Sequence, residues 1–154
     1  MDSNLWLTDN EQHAWRTYLR AHWRLAGELH RQLQAESGLS LADYGVLVHL
    51  SEAPEGRMRP FELARCLQWE QSRLSHQLKR MQKRELVVKR ECSQDARGAF
   101  IEITESGRGT LAGAAPKHVR TVRQVFFNEL SGEQLAALAE ISERILRKLD
   151  SLEE

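Results

Sequence analysis

Apolar residues recur at helical spacing through the first half of the chain, alternate briefly in the middle, and return to helical spacing at the end. Thr8 followed by Glu11 reads as a capping box, and Trp15, Leu19, His22, Ala26, Leu29 and Leu33 then trace one helical stripe that stops at Gly38. Ser40 and Asp43 open a second helix through "LADYGVLVHLSE", ending in "APEGR". Pro60 suits the first turn of a third, short helix, "PFELARCL". After "QWEQ" a fourth helix begins. "LVVKREC" and "AFIEIT", rich in Val, Ile and Phe and joined by the turn-forming "SQDARG", predict two strands of a hairpin. Thr104 is placed to cap a fifth helix over about 105–127, in which Pro116 marks a kink or break. Ser131 and Gln134 form another capping box before Leu135, Leu138, Ile141, Ile145 and Leu149, the stripe of a last helix. No internal repeat or inter-domain linker interrupts this order.

The fourth helix carries the chemistry. Leu74, Leu78 and Met81 project from one side, enough to dock on a small core. Ser72, His76, Lys79 and Lys83 form a stripe almost opposite, with Arg73, Ser75 and Arg80 on its shoulders. No acidic residue lies between Gln71 and Arg84, whereas a helix that is merely solvated commonly mixes Glu with Lys. Arg, Gln and His meet base edges in a major groove, and Ser and Lys hold phosphates. Phe61, Leu63, Ala64 and Leu67 let the short helix pack across the basic one through the "QWEQ" turn, the layout of a helix-turn-helix. The hairpin that follows extends this to a winged helix-turn-helix. Its tip offers Asp95 and Arg97: an Arg on a narrow loop reaches a minor groove, and the Asp steers or braces it. Cys66, on the amphipathic third helix, is expected to be buried.

Charge supports this reading. The 154 residues have a formal net charge of zero, yet residues 57–97 hold 11 basic and 5 acidic side chains, against 4 and 8 in residues 1–56. A local positive patch attracts polyanions even on a neutral protein, although charge alone leaves open an ordinary solvated surface. With 29% charged and 41% hydrophobic residues the chain reads as a soluble globular protein. The acidic start "MDSNLWLTDNEQ" lacks signal-peptide features, and no apolar run approaches the roughly 20 residues of a membrane span, so a cytoplasmic setting is expected. The six His show no HExxH spacing, Cys66 and Cys92 have no metal-type spacing, and no phosphate-binding glycine loop or G-x-S-x-G elbow is present. No catalytic residue, metal or cofactor is therefore expected. A helical module that binds protein through its basic face is the remaining rival class.

Over almost its whole length the chain resembles the MarR family of bacterial winged-helix transcription regulators. "LTDNEQHAWRTYLR" resembles the family's long first helix, "LSLADYGVLVHL" its second, and "PFELARCLQWEQSRLSHQLKRMQKRELV" its helix-turn-helix. "DARGAFIEITESGR" is similar to its wing and following helix start, where the family shows Asp-x-Arg and Leu-Thr-x-x-Gly. Two departures are Glu85, where many members have Gly, and Ile103, in place of Leu. The resemblance implies a mainly α fold with a small β-hairpin wing (α+β). Within one domain over 1–154, residues 40–104 form the DNA-binding part, and 1–39 with 105–154 the helical dimerisation part. It implies a homodimer that binds double-stranded DNA at a pseudo-palindromic operator, acting as a repressor. Recognition-helix positions carry onto Ser72, Arg73, Ser75, His76, Gln77, Lys79 and Arg80, and wing positions onto Asp95 and Arg97.

Dimerisation also has support in the residues themselves. Val119, Val122, Val125, Phe126, Phe127 and Leu130, with the last helix's stripe, exceed what a small winged domain needs to bury; a symmetric partner or intrachain packing would absorb them. Relatives respond to small aromatic ligands or to cysteine oxidation. Trp15, Trp23 and Tyr44, with His22, His30 and His49, are candidates to line a ligand pocket between the first two helices and the fifth, though such residues as readily fill a core. Cys92, beside Lys89 and Arg90, is the redox candidate, set against a plain structural cysteine.

Overall fold

The computed structural model describes residues 5–91 and 98–153. Among these the elements run α1 (Asp9–Ser37), α2 (Leu41–Glu52), β1 (Arg57–Met58), α3 (Pro60–Leu67), α4 (Gln71–Lys83), β2 (Val87–Glu91), β3 (Ala99–Ile103), α5 (Glu105–Val125) and α6 (Gly132–Glu153). Local chemistry sets most helix ends. The Thr8–Glu11 and Ser40–Asp43 capping boxes are both formed, and Ser131 and Gln134 exchange bonds of 2.9 and 3.1 Å. Each cap satisfies N–H groups the helix cannot, worth about 1 kcal/mol. Gly38 ends α1 in the left-handed conformation, φ 68°. Pro60 occupies the first turn of α3. Pro116 does not end α5, which runs through it to Val125.

The chain divides into two compact units, Met1–His118 and Val119–Glu154. The first is mainly helical and carries a three-stranded antiparallel sheet of order β1-β3-β2, the architecture of a winged helix-turn-helix. β2 and β3 form the expected hairpin, with Val87 opposite Ile103 and Glu91 opposite Ala99. The third strand was not expected. β1 is only two residues long, too short for any periodicity, and exists because β3 offers it a partner: Arg57 lies opposite Glu102 and Met58 opposite Ile101. Leu33, Leu39, Val46, Leu47, Leu50, Leu63, Leu74, Leu78, Met81, Leu86, Val87, Ile101 and Ile103 make the buried core. Phe61, expected to pack between α3 and α4, is instead exposed. It stands on the first turn of α3, away from the face that buries Leu63 and Ala64. In the second unit α6 has no buried residue, and Leu135, Ile141, Ile145, Leu146, Leu149 and Leu152 are exposed. No helix among the described residues is long and apolar enough to cross a membrane.

The exit from α4 explains both the Glu85 departure and the I-T-E-S-G segment. Glu85 takes φ 60°, its N–H bonding the Gln82 carbonyl at 2.9 Å while the Leu86 N–H reaches back to Met81 at 3.0 Å. These two bonds define a Schellman turn, which favours glycine at the left-handed position. Thr104 then fastens the start of α5 onto that turn. Its hydroxyl donates to the Glu85 carbonyl at 2.6 Å and accepts the Gly107 N–H at 2.9 Å. Gly107 is needed for the approach, since a Cβ there would lie 2.2 Å from the Leu86 carbonyl oxygen. At a fixed protein concentration, urea unfolding is expected to show Gly107→Ala less stable by about 1–3 kcal/mol. Glu85→Gly should be more stable by up to about 1 kcal/mol, as the left-handed strain is relieved and part of the gain is lost to chain entropy.

Candidate nucleic-acid interface

Helix α4 presents two faces of opposite character. Leu74, Leu78 and Met81 are buried as the periodicity requires, while Ser72, Arg73, Ser75, His76, Lys79 and Arg80 are exposed. Burying three such side chains contributes about 1.5–3 kcal/mol each, which anchors the helix firmly enough to present the other face. That exposed face is free of carboxylates from Gln71 to Arg84.

Gln77 corrects the sequence expectation. It was placed on the outer face, but only 5% of it is exposed, and its amide is committed inside the domain. The Gln77 Nε2 group donates to Asp43 Oδ1, and its Oε1 accepts from Arg80 Nη2 at 2.8 Å. The family resemblance had carried Gln77 into the set of recognition positions; its place on the helix lies beside the apolar stripe, and a buried acceptor waits there. Asp43 is that acceptor, 3% exposed at the third position of α2. Its Oδ2 also accepts the Ser40 N–H at 2.9 Å and Arg84 Nη1 at 2.6 Å. Arg84 in turn donates to the Gly38 carbonyl at 3.0 Å. A carboxylate so buried must be paired and hydrogen-bonded to remain charged. Here the partners come from the cap of α2, from the middle of α4 and from the residue that ends α4. The sequence showed Asp43 only as a cap.

The two ends of the surface are braced by aromatic rings. The Arg73 guanidinium carbon lies 4.2 Å from the centre of the Trp69 ring, which packs partly buried in the α3–α4 turn. The i,i+4 spacing of Trp69 and Arg73 was the available signal for this pair, and the turn residue was passed over. At the wing base Arg59 and Arg57 lie 3.9 and 4.8 Å from the Phe100 ring centre, and Arg59 Nη1 donates to the Gly98 carbonyl at 2.9 Å. Between α4 and the sheet runs a cleft of about 560 Å³, lined among others by Ser72, Ser75, Lys79, Lys89 and Ile101. Asp95, Arg97 and Cys92 lie outside the described residues.

A MarR family model matches residues 37–98, the stretch that holds α2 through β2. AbsC, a MarR family transcriptional regulator from Streptomyces coelicolor, is 42% identical over 95% of this chain and 98% of its own, with a TM-score of 0.89. The chain belongs to the MarR family of transcriptional regulators. Sco3205, another MarR family regulator from S. coelicolor, was solved in complex with DNA; it is 41% identical over 94% of each chain, TM-score 0.88. A MarR/EmrR family regulator from Acinetobacter shares the fold at 16% identity, TM-score 0.80, over 94% of this chain and 99% of its own. No curated protein sequence matches.

In this MarR-family chain the three aromatic ligand candidates do not share one environment. Trp15 and Trp23 stand on α1, 53% and 65% exposed, and Trp15 makes ring contact with Tyr18 at 6.0 Å. Both rings are more exposed than buried in the single chain, and Leu33 is the one buried residue of α1. Tyr44 faces inward. Its ring centre lies 4.3 Å from that of His118 on α5, whose Nδ1 is 3.1 Å from Gln32 Oε1 on α1. Two of the histidines are occupied locally: His30 Nδ1 accepts the Leu41 N–H at 3.1 Å, and His49 Nδ1 contacts the Gly45 carbonyl at 2.8 Å. Cys66, expected to be buried, is exposed. Only one side of α3 packs inward, and Cys66 falls on the other.

Burial pushes the Tyr44 hydroxyl above its ordinary range and holds His118 below its ordinary 6.5. His118 therefore stays neutral in the folded protein at pH values where the unfolded chain has taken up a proton. The unfolded state then binds more protons, and stability falls as pH drops through about 6.5. Thermal unfolding is expected at a lower Tm near pH 5.5 than near pH 7.5, and His118→Asn should narrow the gap.

Proposed function

We propose that this protein is a sequence-specific double-stranded-DNA-binding transcriptional repressor that acts as a homodimer on a pseudo-palindromic operator. The observation that carries this reading is the exposed, carboxylate-free face of α4: Ser72, Arg73, Ser75, His76, Lys79 and Arg80 stand out from a helix anchored by three buried apolar side chains. Those residue types combine base-edge donors with phosphate-holding groups. The complex of Sco3205 with DNA supports the same reading. On this reading residues 40–104 form the DNA-binding part, and Asp95 and Arg97 are assigned to contact with the adjacent minor groove.

The helical parts, 1–39 and 105–154, are assigned to dimerisation. Six large aliphatic side chains of α6 and the aromatic face of α1 at Trp15, Tyr18 and Trp23 are exposed in the single chain. Exposed apolar surface on each of these helices marks an interaction site, and a two-fold partner meets the same residues on both copies. Trp15 and Trp23 then serve the dimer. Tyr44, facing His118, remains as the contact for a small aromatic effector that releases the protein from DNA.

Binding-site selection from random duplexes should return a two-fold pattern with half-sites about one helical turn apart. Affinity for the selected site should fall steeply with salt through counterion release, which an apolar protein-binding module would not show. Arg73→Ala is expected to cost about 1–3 kcal/mol of that affinity. Sedimentation should report twice the 17.8 kDa chain mass, and Ile141→Glu with Ile145→Glu should give monomers that bind the full site poorly. A wild-type chain that sediments as a stable monomer refutes the dimer.

A further inference from the structure

The Asp43–Gln77–Arg80 chain of hydrogen bonds has a direction, and the direction has a consequence for DNA reading. A carboxylate accepts only, and a guanidinium donates only. Gln77 sits between one of each, so the orientation of its amide is forced: Nε2 toward Asp43 and Oε1 toward Arg80. With Gln77 5% exposed, water competes little for either contact. Asp43 is in turn fixed at its other oxygen by the Ser40 N–H and by Arg84.

Resting on the DNA-binding role assigned to α4, we infer that Asp43 and Gln77 form a polarity relay that holds Arg80 in its reading position. Neither touches DNA; both are positioning residues for a side chain that does. Nη2 of Arg80 is tied inward, so the remaining N–H groups of the guanidinium are presented outward in one orientation instead of many. A preorganised fork loses less freedom when it meets a base edge. An untethered Arg80 keeps its charge and still attracts phosphates, so the relay acts on specificity more than on general affinity.

The relay makes a prediction that a merely packed polar cluster does not. In Asp43→Asn the oxygen at position 43 stays with the Ser40 N–H and Arg84, where two donors already point. The new amide NH2 then faces Gln77, which must flip to offer its oxygen and so turns its own NH2 at Arg80. Two donors meet, and Arg80 is expelled. Adding Gln77→Glu to Asp43→Asn restores the sequence of donors and acceptors, because a carboxylate at position 77 accepts from both sides.

The readout is the ratio of affinities for the selected site and for a scrambled duplex, measured by fluorescence anisotropy at one salt concentration. Asp43→Asn should lower this ratio on the order of tenfold, Arg80→Ala should lower it similarly, and the two together should cost no more than one. The combined Asp43→Asn and Gln77→Glu variant should recover most of the ratio. Independent, multiplying losses for Asp43→Asn and Arg80→Ala overturn the relay, as does a folded swap variant that fails to recover. Gln77→Met, which keeps a buried apolar fit, provides the same cycle with Arg80→Ala should the swap fold poorly. Nuclear magnetic resonance separates this idea from the DNA-binding reading itself. The Gln77 side-chain amide protons should exchange slowly in the wild-type protein without DNA. Fast exchange, as for an exposed glutamine, overturns the relay whatever the DNA result. Slow exchange in a protein for which no duplex is selected overturns the DNA-binding role and with it the function given to the relay.

Discussion

One buried carboxylate organises the packing of α2 against α4 in this molecule. Asp43 caps α2, receives the side chain of Gln77 from the middle of α4, and pairs with Arg84 at the end of α4. An ion removed from water must recover its hydration from the protein, so each of these partners is held firmly. Apolar packing through Leu74, Leu78 and Met81 brings α4 to the core but is tolerant of small rotations. The directional bonds to Asp43 are not, and they fix which residues of α4 look outward.

A second set of contacts fixes where α4 ends and the sheet begins. The left-handed Glu85, the Thr104 hydroxyl and the close approach of Gly107 to the Leu86 carbonyl lock the recognition helix, the first wing strand and α5 at one point. Arg59 does similar work at the wing base, stacking over Phe100 while bonding to Gly98. Helix α4 and strands β2 and β3 are therefore held in one frame. Tyr44, His118 and Gln32 join α2, α5 and α1 in a separate set of contacts. Their titration bears on stability, whereas the Asp43 network bears on how α4 is presented.

Much of this was legible in the sequence. Capping pairs at Thr8, Ser40 and Ser131 and the proline at position 60 gave helix starts because those signals act within a turn of themselves. Val, Ile and Phe between turn-forming residues marked the two hairpin strands, and the structure buries Ala99, Ile101 and Ile103 on one face of the second. The exposed chemistry of α4 followed from residue type at helical spacing, and the family resemblance singled out Glu85, which stands where many members have Gly. Phe61 and Cys66 were misplaced because a helix of eight residues has too few turns to show which side packs.

What the sequence determined, then, is what neighbours along the chain decide: where helices start, which stripe of each is apolar, and where basic groups crowd. What only the tertiary structure decided are matters of distant partners. β1 exists because β3 passes beside it. Gln77 is buried because Asp43, 34 positions earlier, needs a donor. Trp69 steadies Arg73 because the turn folds its ring under the helix. Polarity along a chain tells which groups need partners; only the fold brings those partners within hydrogen-bonding distance, and a polar residue is outside or inside according to whether it finds one.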